Sequence, residues 1–303
     1  MKRLPLISLF STLVLALVIA CTPPTPGPGA ITDDLGRTVN IEEIPQRIVS
    51  LGPGITEFLF ALDLGDRVVG VTDYCDYPDE ALAKDKVGGF STPSLERIID
   101  LEPDLILAAN IHYPDLVSQL ESKGLAVVVF NSEDIDGILA NIELIGQITG
   151  TEQRAEALTA DMEARIDSVV AETGDAPKPR VFFVIDASDP TKPWTAGEGS
   201  FIDALIGLAG GENIAATAGQ WTQFSLEALV NADPEIIIFD DCHGTVDVPD
   251  FEELSGWSQT KAIRTGRIYP IDGDLTSRGG PRMVDGLEEM ARMIHPELFQ
   301  EGG

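Results

Sequence analysis

The chain has 303 residues, 50 of them acidic and 20 basic, for a formal net charge of −30. That excess of negative charge disfavours nucleic acid and anionic membrane surfaces as partners, and a strongly anionic ligand would need a local basic patch. The length beyond an N-terminal leader suffices for two modest lobes, each with its own core.

Lys2 and Arg3 form a positively charged start, Leu4 to Ala20 is apolar apart from scattered serine and threonine, and Val18-Ile19-Ala20 precedes Cys21. This is the pattern of an export signal over residues 1–20. Small residues before a cysteine resemble the lipobox of bacterial lipoproteins, in which Cys21 would be acylated and become the new N-terminus. A transmembrane anchor is the alternative, because the apolar run sits at the short limit for a span. Thr22-Pro23-Pro24-Thr25-Pro26-Gly27-Pro28-Gly29 cannot continue a helix, so residues 21–40 are expected to be a flexible tether. The chain is then expected outside the cytoplasm, as a membrane-anchored lipoprotein.

A first α/β lobe is expected over 41–135. Arg47 to Leu51 reads as a strand, Gly52-Pro53-Gly54 as a turn, and Thr56 as the cap of a helix with Phe58, Leu59 and Leu62 on its apolar side. Val68 to Val71 is a second strand. The segment from Ser94 to Leu107 then recurs from Ser225 to Ile238, with serine, glutamate and proline at identical offsets. In each copy the serine is an N-cap, Glu96 or Glu227 lies in the first turn where the helix dipole favours negative charge, and the helix stops before a proline. A run of Leu and Ile without alternation follows, the pattern of a strand covered on both faces. A repeat this long marks a duplicated domain, with a ligand cleft between the copies. Capping and solvation account locally for the two glutamates; their equivalent placement raises the alternative of a symmetric docking pair. Leu125 to Phe130 is the fourth strand of the lobe.

Residues 136–174 are expected to connect the lobes through helices. Ile138 to Ile148 carries an apolar stripe, Gly150 ends it, and Thr151 caps a polar helix running to about Glu172. A stiff helical connector disfavours large hinge closure. The second lobe, 175–303, follows the first in order: strand Arg180 to Ile185, helix Ser200 to Leu208, the Ser225 helix, strand Glu235 to Phe239 and strand Arg267 to Ile271. The expected fold class is α/β, with two parallel-sheet lobes joined by a long helix.

The catalytic inventory is thin: the sequence lacks a Gly-x-Ser-x-Gly elbow, a Walker or Rossmann glycine pattern and His-Glu-x-x-His. His295 reads as a solvated helix end. His112 and His243 each follow a strand's carboxyl end, where α/β ligands bind; both read as solvated loop residues, with metal ligation as the alternative. Asp240-Asp241-Cys242-His243 could bind an ion. Cys75 and Cys242 read as free, partly buried thiols. Tyr74, Tyr77, Phe90, Tyr113, Trp194 and Trp221 lie in polar or proline-bearing loops that no element period buries, which suits a large, partly planar ligand in a cleft.

Thr72-Asp73-Tyr74-Cys75-Asp76-Tyr77-Pro78, the two repeat copies, Gly210-Gly211-Glu212-Asn213-Ile214 and Ser277-Arg278-Gly279-Gly280-Pro281-Arg282 together resemble the vitamin B12-binding components of bacterial ABC importers. These belong to the helical-backbone substrate-binding proteins, which also deliver ferric siderophores and haem. The resemblance covers roughly residues 45–295. It implies a monomer with no prosthetic group, holding a corrinoid as cargo between the lobes and delivering it to a permease dimer. It places cleft aromatics at Tyr74, Phe90, Trp194 and Trp221, a carboxylate for corrin amides at Asp274, and permease-docking glutamates at Glu96 and Glu227. Where the B12-binding components have a tryptophan after the third strand, this chain has Ala109-Asn110-Ile111-His112-Tyr113, and Cys75 and Cys242 match none of their cysteines. Near the cleft only Lys192, Arg278 and Arg282 stand against many carboxylates, which favours a corrinoid over a siderophore or haem. A metal-dependent extracytoplasmic enzyme is the remaining alternative.

Overall fold

The structure is a computed structural model that describes residues 26–132, 134–241, 251 and 253–299. The leader and Cys21 lie outside the described residues, as do Cys242 and His243.

The described chain opens on a hairpin of β1 (Pro26–Thr32) and β2 (Thr38–Glu43), not on a free tether. This corrects the expected span of residues 21–40. Alternate residues Ile31, Val39 and Ile41 turn inward and join the first-lobe core, which an extended linker could not do. The turn between the strands is fastened to the body by Asp33. Its buried carboxylate accepts from the backbone N–H groups of Leu35, Arg37 and Val129 and from the Arg37 guanidinium at 2.6 Å.

β3 (Ile48–Ser50) leads into α1 (Pro53–Ala61). Thr56 does not start this helix, as the sequence suggested: Gly52 is the N-cap, and the preset φ of Pro53 suits the first turn. The Thr56 hydroxyl instead bonds Gly52 O and Ser50 Oγ from within the helix. β4 (Val68–Val71), β5 (Asp85–Lys86), α2 (Leu95–Asp100), β6 (Leu105–Ala109), α3 (Asp115–Glu121) and β7 (Val127–Phe130) complete the lobe. Its parallel sheet has the order β5-β4-β3-β6-β7. β4, β6 and β7 are apolar throughout because both faces are covered. Leu105 and Leu107 enter one core, while Ile106 and Ala108 enter the core under α2 and α3.

α4 (Ile135–Thr149) and α5 (Glu152–Thr173) cross to the second lobe. Gly150 takes a left-handed φ of 70° to end α4, as a C-terminal glycine does without Cβ cost. At 22 residues, α5 is about 33 Å long. The second lobe comprises β8 (Arg180–Val184), β9 (Trp194–Ala196), α6 (Phe201–Leu208), β10 (Glu212–Asn213), β11 (Trp221–Gln223), α7 (Leu226–Ala232), β12 (Ile236–Asp240), α8 (Lys261–Thr265), β13 (Ile268–Ile271), α9 (Gly273–Ser277) and α10 (Met283–Ile294). Its parallel sheet runs β10-β8-β12-β13, with β9 and β11 forming a separate antiparallel ribbon. His295 is buried rather than solvated: α10 packs its end against the lobe, and the ring Nε2 lies 3.2 Å from the Gly210 carbonyl.

The repeat extends to individual hydrogen bonds. Ser94 Oγ accepts from Arg97 N–H and Ser225 Oγ from Ala228 N–H. Past each helix, Glu102 and Asp233 adopt left-handed φ values of 47° and 44° before their prolines. An arginine at the start of the first strand then braces each junction. The side chain of Arg47 donates to Glu102 O and its N–H to Asp104; the side chain of Arg180 donates to Asp233 O and its N–H to Glu235. The strain of two non-glycine left-handed residues is thus held by the same brace in both lobes.

Asp33→Ala would remove the carboxylate that satisfies three backbone donors and Arg37. Denaturant titration of the folded body should show a loss of about 3 kcal/mol in unfolding free energy. An unchanged transition midpoint would mean that the hairpin is not integral to the lobe.

Candidate ligand-binding site

Strand carboxyl ends of both lobes converge on a cavity of about 650 Å³. In α/β sheets the loops at these ends are free to vary without disturbing the sheet, and ligands bind there. The first lobe contributes Gly52 to Ile55 and Phe58 from the start of α1, Tyr74 from the loop after β4, Phe90 and Ser91, Ala109 at the end of β6, Phe130 at the end of β7 and Ser132 after it. Asn141 comes from α4, and Phe201, Asp274, Ser277 and Arg278 from the second lobe. The lining is aromatic and aliphatic with neutral hydrogen-bonding groups. Among the described residues that line it, Arg278 is the only cation and Asp274 the only anion.

Those two charges are committed to each other. Arg278 Nη2 lies 2.6 Å from Asp274 Oδ2, and the same guanidinium pairs with Asp76 of the first lobe at 2.5 Å. Beside it, Arg282 meets Glu57 through two parallel bonds, Nε to Oε2 at 3.0 Å and Nη2 to Oε1 at 2.7 Å. The Arg282 guanidinium also stacks 3.9 Å from the centroid of Tyr77. Glu57, Asp76 and Tyr77 belong to the first lobe; Asp274, Arg278 and Arg282 belong to the second. The cluster therefore ties the lobes together at the floor of the cleft. A second cavity of about 740 Å³ is lined in part by Glu57 and Arg282 of the same cluster. Backbones approach closely at the same point: a Cβ on Gly54 would fall 2.1 Å from Arg278 O, so this turn of α1 can seat against the second lobe only as glycine.

Three carboxylates face two guanidiniums, and Glu57 is the most buried of the three. Burial pushes its carboxyl above the ordinary value, with Asp274 adding to the rise, against the pull of Arg282 and Arg278. Pairing holds both guanidiniums above their ordinary values despite burial.

The structure brings Tyr74, Phe90 and Asp274 to one cavity, with Tyr74 63% exposed at the rim. Trp194 and Trp221 do not line it; they lie on the ribbon of β9 and β11. Ladder pairs Trp221 with Ala196 and Gln223 with Trp194 put both indoles diagonally on one face, half-exposed. Glu96 and Glu227 are exposed in the first turns of α2 and α7, at equivalent places in the two lobes. His112 is not a solvated loop residue, nor is it free for a metal. Its ring is 4% exposed; Nδ1 accepts from Ala109 N–H at 3.1 Å and Nε2 donates to Phe90 O at 2.7 Å. Cys75 is a buried free thiol 3.1 Å from Thr72 Oγ1. No group of His, Cys, Asp and Glu among the described residues could hold a metal ion. Sequence reading singled out neither Glu57 nor Asp76. The signal for Glu57 was an acid alone among apolar residues in Pro53–Ala61, which requires a buried partner.

Residues 48–275 match the family described as periplasmic binding protein. The chain belongs to that family. It is 34% identical over 280 residues to an uncharacterized ABC transporter substrate-binding lipoprotein of Bacillus subtilis (strain 168), covering 90% of this chain and 88% of the relative. A cobalamin-binding protein of Halobacterium salinarum is 30% identical over 288 residues, covering 91% of this chain and 75% of the relative. The solved periplasmic haem-binding protein RhuT from Roseiflexus sp. RS-1, in apo form, superposes with a TM-score of 0.74 at 28% identity, covering 84% of this chain and 99% of that one. This periplasmic binding protein is thus a substrate-binding component of an ABC importer, and its family works outside the cytoplasm in transport rather than catalysis. No helix among its described residues is long and apolar enough to cross a membrane.

The position of Glu57 makes its stability effect pH-dependent. With a raised pKa the folded protein binds this proton more tightly than the unfolded chain, so the cost of ionising Glu57 is present at neutral pH and relieved as pH falls through the raised value. Wild type should therefore gain stability relative to Glu57→Gln as pH drops from neutral toward the ordinary carboxylate value of 4.5. Paired denaturant titrations measure the difference; a gap that is constant with pH would contradict the assigned shift.

Proposed function

We propose that this periplasmic binding protein captures a corrinoid in the inter-lobe cleft and hands it to the permease of an ABC importer. The observation that carries the reading is the charge state of the cleft: its lining cation, Arg278, is neutralised by Asp274 and Asp76, while Ser91, Ser132, Asn141 and Ser277 offer neutral hydrogen bonds beside Phe58, Phe90, Phe130 and Phe201. A corrinoid presents peripheral amides and an apolar ring, which such a lining satisfies. A ferric siderophore or a haem propionate presents anionic groups that would have to displace an internal carboxylate from Arg278. The relative named a cobalamin-binding protein supports the same choice. In this reading Tyr74 and Phe90 hold one side of the ring, Trp194 and Trp221 meet the part that projects from the cavity, and Asp274 orients its amides. The protein acts as a monomer, with the corrinoid as cargo and no prosthetic group.

Tyr74 favours haem as a second reading, because a phenol at the cleft rim is an oxygen ligand for ferric iron. Isothermal titration and visible spectra with cyanocobalamin and with haemin separate the two. The corrinoid reading expects cyanocobalamin to bind at micromolar protein or better, with Phe90→Ala and Trp221→Ala each weakening it roughly 30-fold. Haemin binding with an iron–phenolate band that disappears in Tyr74→Phe, and no heat with cyanocobalamin, would establish the alternative.

Delivery rests on Glu96 and Glu227 docking onto cations of a two-fold permease, and anchoring on acylation of Cys21. Exposed charges in equivalent first turns can engage a symmetric partner without strain, and desolvation in the interface strengthens the contact. Changing both glutamates to lysine should abolish corrinoid uptake by cells while leaving affinity in solution intact. Cys21→Ser should leave the protein unacylated. Normal uptake by the double variant, or a wild type without lipid on metabolic labelling, would refute the corresponding role.

A further inference from the structure

We infer that His112 is a positioning residue for the cleft wall, holding Phe90 in place through its neutral ring, so that ligand affinity falls when the ring takes up a proton. The inference rests on the inter-lobe cleft being the ligand site, and not on which ligand fills it.

Three observations meet at this ring. First, His112 sits on a single turn, Asn110–His112, directly after β6, and is buried behind the wall formed by Ala109, Phe90 and Ser91. Second, its two nitrogens bridge the two chain segments that make that wall. Nδ1 accepts the Ala109 N–H at 3.1 Å and Nε2 donates to the Phe90 carbonyl at 2.7 Å, across 22 residues of sequence. Third, its ring meets the Phe90 ring edge-on, with centroids 5.6 Å apart and planes at 78°. One side chain thus fixes both the backbone and the ring of Phe90.

The two bonds specify one protonation state. An acceptor at Nδ1 and a donor at Nε2 coexist only in the neutral Nε2–H tautomer. A second proton would set N–H against N–H at Ala109, breaking one anchor and placing a charge in a buried site. Burial already lowers the pKa of this ring, and the Phe90 carbonyl that accepts from Nε2 only partly offsets it. The ring is faced by backbone and by Phe90. On the adjoining elements the titratable and charged side chains are Asp115 and Glu121 of α3, Arg37 of the hairpin turn, and Asp73 and Lys86 beside the Phe90 loop. Arg37 is paired with Asp33 and Glu121, Lys86 donates to Cys75 O, and none of the five contributes to the shift at His112.

The test uses the mature protein and two variants. His112→Gln keeps a neutral donor and acceptor but cannot titrate; His112→Phe keeps a ring and loses both bonds. Cyanocobalamin is the probe. Wild-type affinity should hold from neutral pH through the ordinary histidine value of 6.5 and fall below it. His112→Gln should bind about as wild type at neutral pH without that component of the fall. His112→Phe should bind about tenfold more weakly throughout. Glu57 also titrates in acid, so the difference between wild type and His112→Gln isolates this ring. Independently of any ligand, nitrogen NMR should show an unprotonated Nδ1 down to 6.5, and hydrogen exchange of residues 88–92 should quicken in His112→Phe. If no form binds cyanocobalamin, the ligand reading fails and the NMR and exchange arms decide the inference alone. A ring that protonates at or above 6.5, a Phe90 loop that exchanges equally in His112→Phe and wild type, or the full acid loss retained in His112→Gln overturns it.

Discussion

Glu57 stands on an apolar helix of the first lobe and meets two arginines of the second, and the shape of the cleft depends on that meeting. The bidentate Glu57–Arg282 pair and the Arg278 bridge from Asp76 to Asp274 fix distance and angle between lobes in a way that apolar contact alone would not. Taking such charges out of water is costly, and a buried ion pair often adds little net stability. Its contribution here is geometric. It ties the β3–α1 turn to the loop after α9, where the backbones of Gly54 and Arg278 touch, and so sets the floor of the cavity.

Two links of different kind therefore hold the lobes. The pair α4 and α5 is a stiff covalent connector whose residues also enter both cores: Ile135 and Ile166 pack against each. The ionic cluster is the second link, at the cleft floor. A body held at two places resists large hinge opening, so a ligand meets a cleft close to its final shape and loses little free energy to ordering the lobes. The walls above the floor are loops at strand ends, and they need their own supports. His112 braces Phe90, and Asp33 braces the hairpin against β7.

The two lobes share a framework but have specialised on it. The serine cap, the left-handed residue before proline and the arginine brace recur at equivalent residues in each, although Arg47 donates from Nε and Arg180 from Nη2. That symmetry leaves Glu96 and Glu227 in equivalent exposed first turns. The cleft loops are not symmetric: the first lobe supplies most of the aromatic lining, and the second supplies the arginines and a ribbon carrying two half-exposed tryptophans. Duplication accounts for the scaffold, and divergence of the loops accounts for the site.

The sequence by itself determined the α/β class, the duplication, the helical connector and most strand positions, because these follow from local signals. Serine caps, glycine and proline stops and unalternating apolar runs act within a few residues of chain. Tyr74 and Phe90 were legible among the aromatics of polar loops, and Asp274 only through the family resemblance. Proline and glycine near residue 26 masked the hairpin, whose inward alternation of Ile31, Val39 and Ile41 gains meaning only against the first-lobe core. The burial of His112 and His295 was likewise hidden, since each ring is held by carbonyls distant in sequence. Only the tertiary structure could join Glu57 to Arg282 and Asp76 to Arg278, across 225 and 202 residues. A charge written into an apolar helix states that it needs a partner; which partner is decided by the packing of one lobe on the other.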